Sequence, residues 1–378
     1  MAYSPRFSYT GSIVQAAEEV GAYRTVVSVL PLPLAVERRL RHDARVRVAH
    51  NSTWIENRTL TLEEAEHVIA DKALADPTRS KAGAAEEVRN YFQALEYVDQ
   101  CAGSVCDEEF IRRLHALIMR GSSPGRPREQ SEYRRHTVTV GHFAYVPPAW
   151  EDVPRLISDL CAWAQGPGLG LPRWIFAAIL AYQFVTIHPF HDGNGRTCRA
   201  LATWAMRGPN EERAVDPVGL LNVEEFYVAN LEGYYDALQM GLHWNYYHSN
   251  EKGSRSDPDL SQWIEYFSEM LAQSARQVRQ TVVEQFRAVN SDVLADPIAS
   301  YPRTFRRLLV RIPDPSIPFG PGEVAACLHV SDRTARTWLK NWHQQKLIQP
   351  AGTATKRVHV WSLAPDVAVH IGAERQQG

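Results

Sequence analysis

Apolar residues recur every three or four positions over most of the chain, and that spacing predicts helices. VRNYFQALEYV, DEEFIRRLHALIMRG, EDVPRLISDLCAWA and WIFAAILAYQFVTI each carry such a stripe, so residues 84–250 read as a mostly helical core. TLTLEEAEHVI opens on Thr61 with Glu64 three residues on, the capping-box start of a further helix. NEKGSRSDPD is a linker by composition, and LSQWIEYFSEMLAQSARQVRQTVVEQF after it is a long amphipathic helix. One segment breaks the period: RRHTVTVGHFAYVPP alternates β-branched residues around Gly141 and closes on Pro147-Pro148, which predicts a short hairpin. Toward the end, PGEVAACLHVSDRTARTWLKNWHQQKLI reads as helix, turn, helix, with Ser331 capping the second helix and Trp338, Leu339 and Trp342 as core. KRVHVWSL then alternates as a strand. The expected fold class is mainly α, divided into 1–83, an N-terminal helical region; 84–250, the core; 251–300, linker and long helix; and 301–378, a C-terminal domain.

Composition narrows the class. The 378 residues are 44% hydrophobic and 22% charged, with a formal net charge of −2, which excludes extensive disorder and a whole-chain electrostatic design for nucleic acid or membrane. Basic character is local, since residues 301–361 hold ten Lys or Arg against three Asp or Glu. The longest apolar run, Trp174 to Val185, falls short of the ~20 residues that cross a bilayer. No membrane partner is expected, and MAYSPRFSYTGS carries no secretory signal, so a cytoplasmic location is expected. Five cysteines without a CxxC pair fit reduced structural thiols.

Chemistry concentrates in TIHPFHDGNGRTCRALATWAM, Thr186 to Met206, where one helix ends and another begins. Gly193, Asn194 and Gly195 let successive N–H groups face a concavity at a helix N-terminus, which favours phosphate. Asp192 before them suits a hard cation such as Mg²⁺. Arg196 and Arg199, three apart, share a helix face and offer two guanidinium forks to one polyphosphate. His188 is the group with an ordinary pKa near neutrality, fit to take a proton from a hydroxyl. Singly, each has a structural alternative: His188 and His191 as satisfied histidines or an incidental metal pair, the arginines as solvated charges. Together they describe nucleotidyl transfer.

The same residues, His188-Pro-Phe190-His-Asp192-Gly193-Asn194-Gly195-Arg196-Thr197-Cys198-Arg199, match the signature HxFx(D/E)GNGRxxR, and the chain resembles the Fic (Fic/Doc) family. That resemblance implies a Fic-type helical core with a β-hairpin flap that transfers AMP from ATP to a hydroxyl of a target protein, the chain itself included. It implies His188 as general base, Asp192 as Mg²⁺ ligand, Gly193 to Gly195 as phosphate cradle, Phe190 as the loop's anchor, and Arg196 and Arg199 on the β- and γ-phosphate sides. TVTVGHFAYVPP resembles the flap, placing Val140, Gly141, His142 and Phe143 over the nucleotide, its edge pairing with an extended target segment. EGYYDAL resembles the helix walling the adenine pocket, pointing to Tyr234 and Tyr235; beyond it the likeness fades at Leu242.

Ser52-Thr-Trp-Ile-Glu56-Asn57 matches the (S/T)xxxE(G/N) inhibitory helix of the same family. A carboxylate on Arg199 removes the fork meant for the γ-phosphate and repels that phosphate, so Glu56 is the expected switch and Ser52 its tether. The C-terminal segment resembles a winged helix-turn-helix with Arg333, Arg336 and Lys340 on its second helix, suited to DNA or to a protein partner. A homodimer is the expected assembly. The alternatives are removal of AMP, use of another nucleotide donor, or a winged-helix DNA-binding regulator with a nucleotide-sensing core.

Overall fold

The computed structural model describes residues 3–30, 32–72, 78–121, 129–140, 145–209, 213–240, 258–288, 301–312, 314, 317–328, 330–351, 360–369 and 371. Its centre is α7 (Arg173–Ile187), which is buried along almost its whole length because it is apolar all round, and α8 (Asn194–Arg207), packed against it. Around this pair lie α2 (Leu34–Glu56), α4 (Arg79–Gln100), α5 (Glu108–Ile118) and α6 (Val153–Gln165). α3 (Leu62–Ile69) leans on α2 and α4, while α9 (Glu224–Ala229) and α10 (Leu231–Met240) close the far side.

Polar caps set where these helices begin. Thr61 and Glu64 form the expected capping box on α3, and Asp107 caps α5 by accepting from the Phe110 amide. α1 (Gly11–Val29) starts at Thr10 and packs along α11 (Ser261–Ala288), the helix after the linker segment. One hydrophobic core runs from Tyr3 to Val282, so the N-terminal residues and α11 are built into the same interior as the signature loop. The linker composition at 250–257 lies outside the described residues.

A buried polar network crosses that interior. Tyr23 donates to Asp216 at 2.6 Å, and Arg207 at the end of α8 bonds both Asp216 and, at 2.7 Å, Asp99 of α4. Asp99 also receives Arg41 at 2.8 Å and Arg45 at 2.7 Å from α2. Removing one partner of such a network leaves a charge buried without its counter-charge, so the network locks α1, α2, α4 and α8 in one arrangement.

A second core joins α12 (Arg303–Arg311), α13 (Pro321–Leu328), α14 (Asp332–Gln344) and an antiparallel pair, β1 (Ile348–Pro350) with β2 (Trp361–Leu363), in register Ile348 to Leu363. Ser331 caps α14 by accepting from the Thr334 amide; Leu339 and Trp342 are buried, and Trp338 is partly buried against them. The first residue of α2, Leu34, belongs to this second core, so one helix enters both interiors. Of the expected hairpin, Val140 and Tyr145 pair in a single antiparallel bridge; Gly141, His142 and Phe143 lie outside the described residues.

Leu271 of α11 is fully buried. Leu271→Ala should lower stability by about 3 kcal/mol, as large-to-small changes in a core do, read as a drop in the urea midpoint. A change no larger than that of a surface substitution would show α11 to be peripheral.

Candidate active site

The turn between α7 and α8 is held by side chains that meet its unpaired backbone groups. His188 ends α7 in the left-handed region at φ 52°, costly for a residue with a Cβ, and its amide still bonds the Phe184 carbonyl at 3.1 Å. Arg134 accounts for the next carbonyls. Its guanidinium donates to His188 O at 2.8 Å and Pro148 O at 2.6 Å, and its own amide bonds Pro189 O at 2.9 Å. Asn194 brackets Phe190, accepting from its amide at 3.0 Å and donating to its carbonyl at 2.9 Å. Phe190 itself is buried against the ring of His115, 3.7 Å away between centroids.

Gly193 caps α8 with φ 74°, and a Cβ there would stand 2.5 Å from Met119 Sδ. Thr197 Oγ1 donates back to Gly193 O at 2.8 Å. The first-turn amides of α8 therefore sit at an open helix end with no side-chain cap, the arrangement that receives an anion.

His188 sits at the mouth of this nest. Burial, with Arg134 nearby, lowers its pKa to about 4, so it is neutral at physiological pH. Its Nδ1 lies 3.2 Å from Val185 O, a carbonyl that can only accept. Nδ1 therefore carries the proton, and Nε2 presents a lone pair. Asp192 has a largely exposed carboxylate, with Oδ1 accepting from the Gly193 amide at 2.6 Å and 3.5 Å from Arg196 Nη2. His191 points elsewhere, pairing Nδ1 with His136 Nε2 at 3.1 Å.

The two arginines differ in what they hold. Arg199 is only 4% exposed and its donors are spent inward: Nε to Ser52 Oγ at 2.8 Å, Nη2 to Ser52 O at 2.8 Å and to Glu56 Oε1 at 2.7 Å. Burial opposes its charge, but Tyr234 and Glu56 more than compensate and hold its pKa well above the ordinary value. Arg196 is equally buried, yet its Nε and Nη1 form no hydrogen bond, and the carboxylates near it, Glu87 at 3.4 Å and Asp192 at 3.5 Å, are at ion-pair range only. A buried guanidinium with unmet donors beside an amide nest is what a bound phosphate would complete.

The remaining expected residues fall around this centre. Cys198 is buried, donates to Gly195 O at 3.0 Å, and burial pushes its pKa up to about 12, so it is no nucleophile. Gly195 lets Glu56 approach: a Cβ there would lie 2.4 Å from Glu56 Oε1. Asn57 ends α2 and donates to Glu87. Tyr234 is buried and stacked on Tyr227 at 4.4 Å, its hydroxyl reaching Arg199 Nη1 at 3.5 Å from behind, while Tyr235 is half-buried beside it. Beside Arg199 a cavity of about 20 Å³, room for one water, is lined by Tyr227, Tyr234 and Glu224. Burial raises the Glu224 pKa to about 7.

Three contributors escaped the sequence reading. His115 donates from Nε2 to Asp192 O at 2.8 Å and bonds Ser131 through Nδ1 at 2.6 Å, fixing the loop from below. Its signal was a histidine inside the apolar stripe of α5, between Ile111 and Ile118. Arg134 and Glu87 had no signal, because each looks like an ordinary surface charge until the fold closes.

A helical protein with an uncapped helix N-terminus in the same loop as a neutral histidine is the class that fold and site define. Residues 105–206 match the family model described as the Fic/DOC family, and the chain carries a Fic/DOC family domain. It is 27% identical over 187 residues to a protein of Drosophila erecta named protein adenylyltransferase Fic, covering 49% of this chain and 36% of that one. To the protein of the same name from Culex quinquefasciatus it is 28% identical over 165 residues, covering 43% and 32%. The chain thus spans about a third of the length of these curated relatives. Among solved structures, a Fic family protein from Desulfovibrio desulfuricans superposes with a TM-score of 0.59 at 24% identity, covering 96% of this chain and 99% of that one. Fic-1 from C. elegans gives 0.53 at 17% identity, covering 74% of each chain. Both share the fold.

Because the folded-state pKa of Glu224 lies above its unfolded value, the protonated acid contributes stability at low pH that is lost as pH rises through about 7. Between pH 5 and pH 8 the wild type should lose roughly 2 kcal/mol relative to Glu224→Gln, measured by urea unfolding at both pH values. Parallel curves would show that Glu224 ionises normally.

Proposed function

We propose that this chain transfers AMP from ATP to a Ser, Thr or Tyr hydroxyl of a target protein, itself included, and that Glu56 holds the activity in check. The observation that carries the reading is the neutral, singly oriented His188 beside an amide nest and the unmet donors of Arg196. Similarity to the adenylyltransferases of fly and mosquito supports it for the domain.

His188 Nε2 takes the proton of the acceptor hydroxyl as its oxygen attacks the α-phosphorus. The bond from that phosphorus to the α,β-bridging oxygen breaks, and pyrophosphate leaves. The Gly193–Gly195 amides and Arg196 stabilise the charge that builds on the phosphate oxygens, and they do so without reorganising, because Asn194, Thr197 and His115 already hold the loop. Asp192 fits Mg²⁺: a hard, exposed carboxylate at the nest, bonded only within its own loop and near Arg196. When bound, the ion would neutralise the leaving pyrophosphate.

Glu56 opposes this by taking the Arg199 fork that a γ-phosphate needs, and by placing a negative charge where that phosphate would lie. Ser52 adds two more bonds to the same guanidinium, so the brake is a clasp of both residues. The Val140–Tyr145 bridge supports the reading of a flap whose edge would pair with an extended target segment. In the C-terminal module, Arg333, Arg336 and Lys340 are exposed on α14, in keeping with a winged helix that meets DNA or a protein, and a homodimer belongs to the same reading.

Incubation with Mg²⁺ and ATP labelled at the α-phosphate tests the reading, on the protein alone and with a host lysate. Glu56→Gly should raise incorporation by about tenfold or more, equivalent to about 1.4 kcal/mol of barrier. Adding His188→Ala should lower it by roughly 10² to 10⁴. Nucleotide binding without label in any form would contradict adenylyl transfer.

A further inference from the structure

A helix leaves its last carbonyls without partners of its own, and the end of α7 is the end that carries His188. Each of those carbonyls is answered. His188 meets two of them itself, its amide bonding Phe184 O at 3.1 Å and its Nδ1 standing 3.2 Å from Val185 O. The Tyr145 hydroxyl donates to Thr186 O. Arg134 takes the next three groups: Nη2 reaches Ile187 O at 3.4 Å, Nε donates to His188 O at 2.8 Å, and its amide bonds Pro189 O at 2.9 Å.

The same guanidinium holds a second segment. Nη1 donates to His136 O at 3.1 Å and Nη2 to Pro148 O at 2.6 Å, and these two residues bracket the stretch in which Val140 pairs with Tyr145. His136 adds its own link to the signature loop, Nε2 to His191 Nδ1 at 3.1 Å. Arg134 is buried, with Glu151 close enough to support its charge, and its side chain spends its donors on four carbonyls. A planar fork of five N–H donors can bridge two segments in this way, whereas the ammonium of a lysine cannot.

We propose that Arg134 is a positioning residue that registers the flap segment to His188, so that a hydroxyl carried on the flap edge meets the Nε2 lone pair. His188 sits at φ 52°, a conformation its surroundings must enforce. Without the bond to its carbonyl the ring leaves Val185 O, and the proton is no longer confined to Nδ1. The phosphate nest does not depend on Arg134, because Asn194, Thr197 and His115 hold it. The catalytic consequence rests on the transfer reading above; the orientation of the histidine does not.

Arg134→Lys and Arg134→Ala, each made in the full-length Glu56→Gly form, test this by two readouts. Self-labelling at saturating ATP should fall about 10²-fold in both, the cost of a misplaced group. The KM for ATP should stay within about twofold, since ground-state binding is untouched. Added methylguanidinium should restore much of the rate to Arg134→Ala, which a misfolded chain would not allow. The imidazole nitrogen NMR spectrum, with His188→Ala to assign the His188 signals, should show the Nδ1–H tautomer in the parent and a mixture of tautomers in both variants. That spectrum needs no turnover, so absence of label in the parent would defeat the transfer reading while the tautomer still decides the role of Arg134. An unchanged tautomer would overturn the proposal. So would an unchanged rate in a parent that does transfer label, or a loss that also raises the KM and resists methylguanidinium.

Discussion

A guanidinium buried to 4% exposure must have its charge answered, and Arg199 is where this structure answers it twice over. Ser52 and Glu56 supply the acceptors from α2, and Tyr234 stands behind from α10. The same interaction ties the last turn of α2 to the first turns of α8, so it serves the fold and the site together. A γ-phosphate would offer the same guanidinium the oxygen acceptors that Glu56 now supplies, so under the proposed reading one contact both completes the interior and excludes the nucleotide. Arg196, one helical turn earlier, meets Glu87 at 3.4 Å and Asp192 at 3.5 Å at ion-pair range, and its Nε and Nη1 form no hydrogen bond. The two arginines thus differ in kind: Arg199 is hydrogen-bonded by Ser52 and Glu56, whereas Arg196 meets its carboxylates at ion-pair range only.

The loop between α7 and α8 works because its strain is absorbed elsewhere. A histidine at positive φ and an uncapped helix start persist only when their surroundings over-determine them. Arg134 collects the carbonyls that α7 leaves unpaired, His115 holds the Asp192 carbonyl, and Asn194 closes the loop on Phe190. Their reach is long: Arg134 and His115 lie 54 and 77 positions from the groups they bond. The loop amides are thus preorganised before any ligand arrives.

That distance also explains what the sequence revealed and what it withheld. Helices were legible because amphipathic spacing is local, and Thr61, Glu64 and Ser331 marked helix starts through contacts three residues apart. The signature loop and the Ser52–Glu56 pair were legible because their chemistry is contiguous. Glu87, Arg134 and Asp99 carry ordinary charged side chains whose meaning is set by partners on other helices. The place of α1 and α11 in the main core was hidden for the same reason, since amphipathicity tells that a face is buried but not against what. Asn57, which follows Glu56 at the end of α2, gains a reason in its bond to Glu87.

The central claim is that Glu56 restrains the site through Arg199 and not by blocking it sterically. The most direct measurement is a double-mutant cycle on α-labelled AMP incorporation, comparing wild type, Glu56→Gly, Arg199→Gln and both together. If Arg199 is what the glutamate withholds, Glu56→Gly stimulates transfer only where Arg199 is present, and the double variant matches Arg199→Gln alone. An equal stimulation by Glu56→Gly in the Arg199→Gln background would contradict the account.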